Sequence, residues 1–361
     1  MENVRTKNWS IQEGWNSTLI IKHERDNKPR DILYASEIGR SYYDTYLSVM
    51  GVPATNEISD TIRRKMEAGN FYEAIVAWVF QRVGILQDTQ VQIRTYVPGL
   101  MPIHGRADIL AGCDGDWNTR KAKLLDLFTN LDKFEFSFPF LEQVRKLSFS
   151  LIDDLSIKYP NGLEQKIIEV KSLNSMAFWS GGEPISTPYD HHKYQLSFYQ
   201  SFNKLGVTDA SFIYVDRDTM SLSELPNYIN DDTLKKMNEW HKQISYYVQN
   251  RIEPPKPEIV VFKEGKYQFN WEIERSDYKD LILSGIDVEK VREEIKYKNK
   301  ELKDIEMIKL ALSGDTEKYG IKKYIKAIEL LKQNVDIPKV MKQTNISQTV
   351  VDYYLSAINK K

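Results

Sequence analysis

Lys166-Ile167-Ile168-Glu169-Val170-Lys171-Ser172 is the stretch on which the reading of this chain turns. It begins apolar and β-branched, as a buried strand does, and then places an acid and a base two residues apart. In a strand, side chains at i and i+2 share a face, so Glu169 and Lys171 stand side by side while Val170 turns into the core. A carboxylate beside an ammonium on a largely buried strand is costly to desolvate unless something uses it. One use is to hold a hard divalent cation. Glu169 supplies a carboxylate oxygen, the Val170 carbonyl a second ligand, and Lys171 positions or deprotonates an attacking water. Solvent-facing strands carry Glu-x-Lys by chance, so the rest of the chain must support the reading.

The 361 residues leave room for two or three domains, or for one with an elaborated insert. Hydrophobic residues make up 41% and charged ones 28%, the balance of an ordinary globular protein. A net charge of -1 points to no partner, because a basic groove and an acidic site cancel in the sum. Cys113 is the only cysteine, which excludes an intramolecular disulfide framework and any multi-cysteine zinc or iron–sulfur site within the chain. No apolar run nears the length of a membrane span, and the first residues are polar and charged, so a soluble cytoplasmic protein with no membrane partner is expected.

Outward from the central strand, the pattern alternates helices and strands. Residues 1–30 read as a polar N-terminal extension with Trp9 and Trp15 as its large anchors. Ser36 is placed to cap a Tyr-rich helix over Glu37–Met50, and two helical parts follow, Ile58–Met66 and Phe71–Val83. Glu73 lies in the apolar second part, either as a surface carboxylate or as one aimed at a metal from a helix packed on the sheet. Val91–Val97 and Pro102–Leu110 read as strands about a Pro-Gly turn, and Gly105 and Asp108 fall on the second. Residues 113–165, mainly helical, form an insertion before the central strand; they either cover the site or elaborate the packing. After it come a helix over Tyr189–Leu205 with Gln195 and Tyr199 on one face, a short strand over Ala210–Asp216, and a helix over Asp231–Gln249.

Taken together, Gly69-x-x-x-Glu73, Gly105-x-x-Asp108, Glu169-x-Lys171 and Gln195-x-x-x-Tyr199 resemble, in order and on the expected elements, the PD-(D/E)XK nuclease superfamily in its RecB-like and phage lambda-exonuclease-like branch. The resemblance spans roughly residues 31 to 285. It implies an α/β (α+β) restriction-endonuclease-like core, a central mixed sheet flanked by helices. It also implies a Mg²⁺- or Mn²⁺-dependent DNA exonuclease or endonuclease that hydrolyses phosphodiester bonds in a bacterial or phage-infected cell. Asp108 and Glu169 would be the main metal ligands, with the Val170 carbonyl, and Glu73 would complete or support the shell where many relatives carry His. Lys171 would orient water, and Gln195 and Tyr199 would shape the site and touch substrate. The spacing from Asp108 to Glu169 is long for the family, and Asp153 and Asp154 compete for the Asp108 role; Asp108 is preferred for its Gly105 and its strand context. Trp271–Tyr278 resembles the segment that carries cluster cysteines in many relatives but has none, so no iron–sulfur cluster is expected. A Walker-type Gly-x-x-x-x-Gly-Lys-(Ser/Thr) is missing too, so any helicase or recombination partner would be a separate protein. A catalytically inactive DNA-binding scaffold that kept the fold is the alternative.

Residues 286–361 change character and become helical, Lys-rich and poor in Gly and Pro. Within this C-terminal domain, residues 336–358 resemble a helix-turn-helix. Pro338 suits a first turn, Asn345 a left-handed turn and Ser347 a second cap, while Val340, Ile346, Val351 and Tyr354 would share a core. Ser347, Gln348 and Thr349 would then face a DNA groove. A plain helical hairpin used for packing or docking fits the pattern equally.

Overall fold

The computed structural model describes residues 28–56, 59–131, 141–314 and 317–358. Most of the expected N-terminal extension, with Trp9 and Trp15, lies outside the described residues, as does the aromatic run Phe134–Phe140. Two compact units divide the chain, Met1–Pro255 and Lys256–Lys361. Among the described residues, no helix is long and apolar enough to cross a membrane.

The first unit begins with β1 (Leu33–Tyr34), a 3-10 turn (Ala35–Glu37) and α1 (Tyr42–Val49). The expected start at Ser36 is too early. Gly39 takes a left-handed φ of +80° that interrupts the run, and Ser41 is the cap, accepting from Asp44 N at 3.5 Å. Next, α2 (Asp60–Arg82) is one continuous helix where two parts were expected, capped by Ser59. Then come β2 (Leu86–Thr95), β3 (Ile103–Asp114), α3 (Trp117–Leu131), α4 (Leu141–Lys158) and β4 (Gly162–Leu173). Past the central strand lie a short α5 (Ser175–Phe178), the hairpin β5 (Trp179–Ser180) and β6 (Glu183–Pro184), α6 (Asp190–Phe202), β7 (Asp209–Asp216), β8 (Leu222–Pro226) and α7 (Asp231–Gln249).

Among the described residues the sheet has six strands in the order β1-β3-β4-β7-β8, with β2 on the other edge of β3. It is mixed: β4 and β7 run parallel, joined through α6, while β2–β3, β3–β4 and β7–β8 are antiparallel. One face follows the strand alternation. Ile109, Ala111, Ile168, Val170, Ile213 and Val215 pack in a single cluster with Ile75, Val76, Val79 and Phe80 of α2, Leu124 and Phe128 of α3, and Val144 and Ile152 of α4. Within the stretch 113–165, the helices α3 and α4 therefore build the core on this face. On the opposite parity, Phe212 and Tyr214 meet His192 of α6, with ring centroids 6.3 and 5.8 Å away. Glu169 and Lys171 are in register with those two residues and share their side of the sheet.

A fork in the sheet positions the site. Since β2 occupies one edge of β3 along most of its length, β4 and β1 must share the other. β4 pairs with β3 from Ile109 onward, and β1 pairs with Ile103 and His104. Between those two stretches lie residues 105–108, and beyond Ile168 β4 continues along β7 alone.

The second unit comprises the hairpin β9 (Val260–Lys263) and β10 (Lys266–Phe269), α8 (Trp271–Arg275), α9 (Lys279–Leu283), α10 (Val288–Leu312), α11 (Lys322–Lys332), α12 (Ile337–Thr344) and α13 (Gln348–Ile358). Its start precedes the boundary expected at residue 286, because the β9–β10 hairpin is fastened to α10. The Tyr267 backbone exchanges two hydrogen bonds with the Asn299 side chain, at 2.7 and 2.6 Å. Residues 337–358 form two short helices, α12 and α13, joined by a turn. Pro338 stands in the first turn of α12, Asn345 takes φ 54°, ψ 42°, and Val340, Ile346, Val351 and Tyr354 are buried together with Ile308 and Ala327. Ser347 does not act as the expected side-chain cap: among the described residues its Oγ is buried without a hydrogen-bond partner.

Candidate active site

Where the two central strands part, the β3–β4 ladder ends at Ile109 and Ile168. The Val170 N–H is taken instead by the Asp108 carboxylate, whose Oδ2 accepts it at 2.8 Å. A side chain thus replaces a backbone acceptor, which satisfies a buried donor and fixes Asp108 across the fork. From Glu169 a continuous hydrogen-bonded chain runs to α6. Lys171 Nζ donates to Glu169 Oε1 at 2.6 Å and to Gln195 Oε1 at 3.2 Å. Gln195 Nε2 donates to the Tyr199 hydroxyl at 2.8 Å, and that hydroxyl donates to the Arg106 carbonyl at 3.2 Å. Gln195 and Tyr199, four apart on α6, reach this chain from one helix face. Gly105 makes room for it, since a Cβ there would stand 2.5 Å from Tyr199 Cε1 and 2.8 Å from Ala35 Cβ.

The electrostatics reflect crowding of like charge. Burial, then the Glu169 and Glu73 carboxylates, push the Asp108 carboxyl well above the usual carboxylate range. Glu73 is raised for the same reasons, burial first and then Glu169. Burial alone would lower the Lys171 ammonium, but Glu169, Asp108 and Glu73 outweigh it and hold it above the usual lysine range. Burial also pushes the Tyr199 phenol far up, so it stays a neutral hydroxyl.

Asp108, Glu169, Lys171, Gln195 and Tyr199 are brought together. Glu73 belongs to the same electrostatic cluster, but its Oε1 is held by Gln90 of β2. Asp153 and Asp154 stand exposed on α4, paired with Lys121 at 3.0 Å and Lys158 at 2.9 Å. Two contributors escaped the sequence reading, Gln90 and the Arg106 backbone. No local signal marks Gln90, whereas Arg106 lies between the two motif residues Gly105 and Asp108.

Among the described residues, no three His, Cys, Asp or Glu side chains are gathered so as to hold an ion by themselves. The donor chemistry still fits a hard cation. Among the described residues Glu169 Oε2 is buried without a hydrogen-bond partner, a costly state for a carboxylate oxygen that a ligated ion would relieve. The repulsion that raises Asp108 and Glu73 would be relieved too. The fitting set is Asp108, Glu169 and the Val170 carbonyl, with water filling the remaining positions.

No family model matches the chain, and no curated protein matches it. The solved structure described as the crystal structure of SSO0001 is similar at a TM-score of 0.38 and 14% identity, over 74% of this chain and 93% of that one. A likeness of that size carries no argument.

Proposed function

We propose that this chain is a metal-dependent DNA nuclease with a PD-(D/E)XK core, hydrolysing phosphodiester bonds at the fork between β3 and β4. The observation that carries the proposal is the linkage of Asp108, Glu169 and Lys171 across that fork, with Glu169 Oε2 buried and lacking a hydrogen-bond partner among the described residues. Asp108, Glu169 and the Val170 carbonyl would hold Mg²⁺ or Mn²⁺. Such an ion supplies charge neutralisation at the phosphate and a more acidic bound water. Lys171 is protonated, pinned between Glu169 and Gln195, and its remaining donor capacity is available to an attacking water or a phosphate oxygen. Gln195 holds the ammonium in place and is itself held by Tyr199. Glu73 adds negative charge beside Glu169 and supports the shell.

The test is purified protein with Mg²⁺ or Mn²⁺ on end-labelled linear and circular DNA, single- and double-stranded. Wild-type cleavage that Lys171→Ala abolishes, with binding retained, is the expected result. Cleavage by Lys171→Ala at the wild-type rate would overturn the assignment.

A further inference from the structure

The ends of α2 and β3 and the first turns of α3 border a cavity of about 450 Å³. Asp114 closes β3 six residues beyond Asp108, about 20 Å along the strand, and Arg82 closes α2 nine residues beyond Glu73, about 13 Å along the helix. The cavity is therefore separate from the fork, on the side of the sheet where α2 and α3 pack. Three cations line it, Arg82, Arg120 and Lys123, against two carboxylates, Asp114 and Asp116. Both carboxylates are already engaged. Asp114 is paired with Arg120, which holds its carboxyl below the usual range, and also accepts from Asp116 N at 3.3 Å. Asp116 caps α3, accepting from Thr119 N at 3.3 Å. The cations are less well served. Arg120 donates to the Gly84 carbonyl at 2.6 Å and to Asp114, but among the described residues its Nε is buried without a hydrogen-bond partner. Arg82 lies over the Trp78 ring, 5.4 Å from its centroid, and among the same residues its Nε is likewise buried and unpartnered. Lys123, three residues on from Arg120 and so on the same helix face, is exposed and joins no ion pair among the described residues.

A buried guanidinium N–H without an acceptor is costly, and an oxyanion is the acceptor that suits it best. The donors here come from two helices and approach from different directions. A flat carboxylate is satisfied by one guanidinium fork. A tetrahedral phosphate takes donors on several sides, and it carries the second charge that Arg82 and Lys123 leave uncompensated. Among the described residues Leu127 is the one apolar side chain in the lining, so no surface is offered to a base or another ring. The volume lies within the range of small-molecule sites, about 300–1,000 Å³. An extended polyanion is disfavoured, because Asp114 and Asp116 are exposed and a nucleic-acid backbone running past would meet them. We propose that the cavity bounded by Arg82, Arg120 and Lys123 binds a compact phosphate anion, free or carried on a small polar molecule. This site stands apart from the nuclease reading and shares none of its residues.

The test is isothermal titration of the full chain with inorganic pyrophosphate, in metal-free buffer at constant ionic strength. Binding with a dissociation constant of about 1 mM or tighter is expected. Arg82→Gln with Lys123→Gln should weaken it at least about tenfold, as two charge-assisted contacts are lost, while Lys171→Ala binds as wild type does. Pyrophosphate should also raise the thermal midpoint of wild type and of Lys171→Ala, and leave that of the double variant unchanged. If the double variant melts early without ligand, Lys123→Gln alone carries the test, because an exposed side chain contributes little to packing; a loss of about threefold is then expected. No binding of pyrophosphate, or binding that is lost in Lys171→Ala and kept in the pocket variants, overturns the proposal. An equal loss in all of these variants would mark a general charge effect and overturns it too. So does a short DNA duplex that displaces pyrophosphate from the Lys171→Ala protein, since the cavity would then be part of a track for the nucleic-acid backbone.

Discussion

Asp108 and Val170 are joined side chain to backbone at the point where their strands separate, Oδ2 to N at 2.8 Å. The acid most strongly disfavoured as an anion therefore also closes a gap in the sheet. These two roles separate under substitution. Asp108→Asn keeps an oxygen for the Val170 N–H but loses the charge that Glu169 and Glu73 repel. In metal-free buffer its thermal midpoint should equal or exceed that of wild type, while cleavage is lost. Asp108→Ala should lose cleavage and also about 1–3 kcal/mol of stability, because a buried donor is left unpaired. Asp153→Asn with Asp154→Asn removes only exposed ion pairs and should leave cleavage intact and stability within about 0.5 kcal/mol. Thermal melts and cleavage rates on the three variants check all of this, and an inactive Asp153/Asp154 variant would move the second motif to α4.

Gly105→Ala should be the most damaging small substitution near the site. The added methyl meets Tyr199 and Ala35 below contact distance, and both are buried. Overpacking of this kind costs about 1–3 kcal/mol. It also displaces the hydroxyl on which Gln195, and through it Lys171, depends. A denaturant titration should show the loss of stability, and cleavage should fall further than stability does at a temperature where the variant remains folded. Tyr199→Phe, which keeps the ring and removes the hydroxyl, should lower cleavage with a smaller loss of stability.

What the sequence disclosed follows from how local each signal is. The central strand and α7 come from short-range apolar periodicity, and both are found where that periodicity puts them. The two short helices α12 and α13 and the turn between them were legible for the same reason, as Pro338, Asn345 and four apolar positions each act locally. The fork was not legible. Alternation on β3 continues smoothly through residues 105–108, and nothing in it marks where one edge changes partner from β1 to β4. Gln90 was invisible for a related reason, because its contact with Glu73 depends on how β2 lies against α2. The role of helices α3 and α4 is likewise set by tertiary packing: an amphipathic helix pair reads alike as a cover or as core, and Leu124, Phe128, Val144 and Ile152 belong to the core.

His192 offers a pH test away from the carboxylates. On α6 its Nδ1 shares a hydrogen bond with the Tyr214 hydroxyl at 2.8 Å, and the rings of Tyr189, His191, Phe212 and Tyr214 surround it. Burial, then the Lys171 and His191 charges, lower it to about 2. The unfolded chain takes up this proton near pH 6.5 and the folded one does not, so His192 costs stability progressively as pH falls below about 6.5, by up to about 1.4 kcal/mol per pH unit. His192→Gln keeps a polar partner for Tyr214 and removes the titration. Urea midpoints between pH 7.5 and 5 should fall less steeply for the variant than for wild type, and parallel slopes would show that His192 charges freely in the fold.

The second unit bears on DNA reading through α13. A recognition helix should present free polar side chains and a positive surround to a groove. Here Thr349 donates to the Glu301 carboxylate of α10 at 2.7 Å, and Gln348 donates to Asp352 at 2.8 Å. Two acids on the face that would meet phosphates oppose duplex binding, and the side chains expected to read a groove are already engaged. Gln348→Ala with Thr349→Ala should therefore leave duplex affinity within about twofold at every salt concentration. Removing α12 and α13 alone would strip cover from Ile308 and Ala327 and unfold the unit, so the informative cut is after Pro255, where the core of the first unit is left whole. The 1–255 chain should cleave DNA and bind duplex as the full chain does, with the same salt slope, since every phosphate that the second unit neutralised would steepen the full chain's slope by about one. A weaker and flatter salt dependence in the truncated chain would make the helical unit a DNA-binding module after all. An unchanged one leaves packing or docking to another protein as its role.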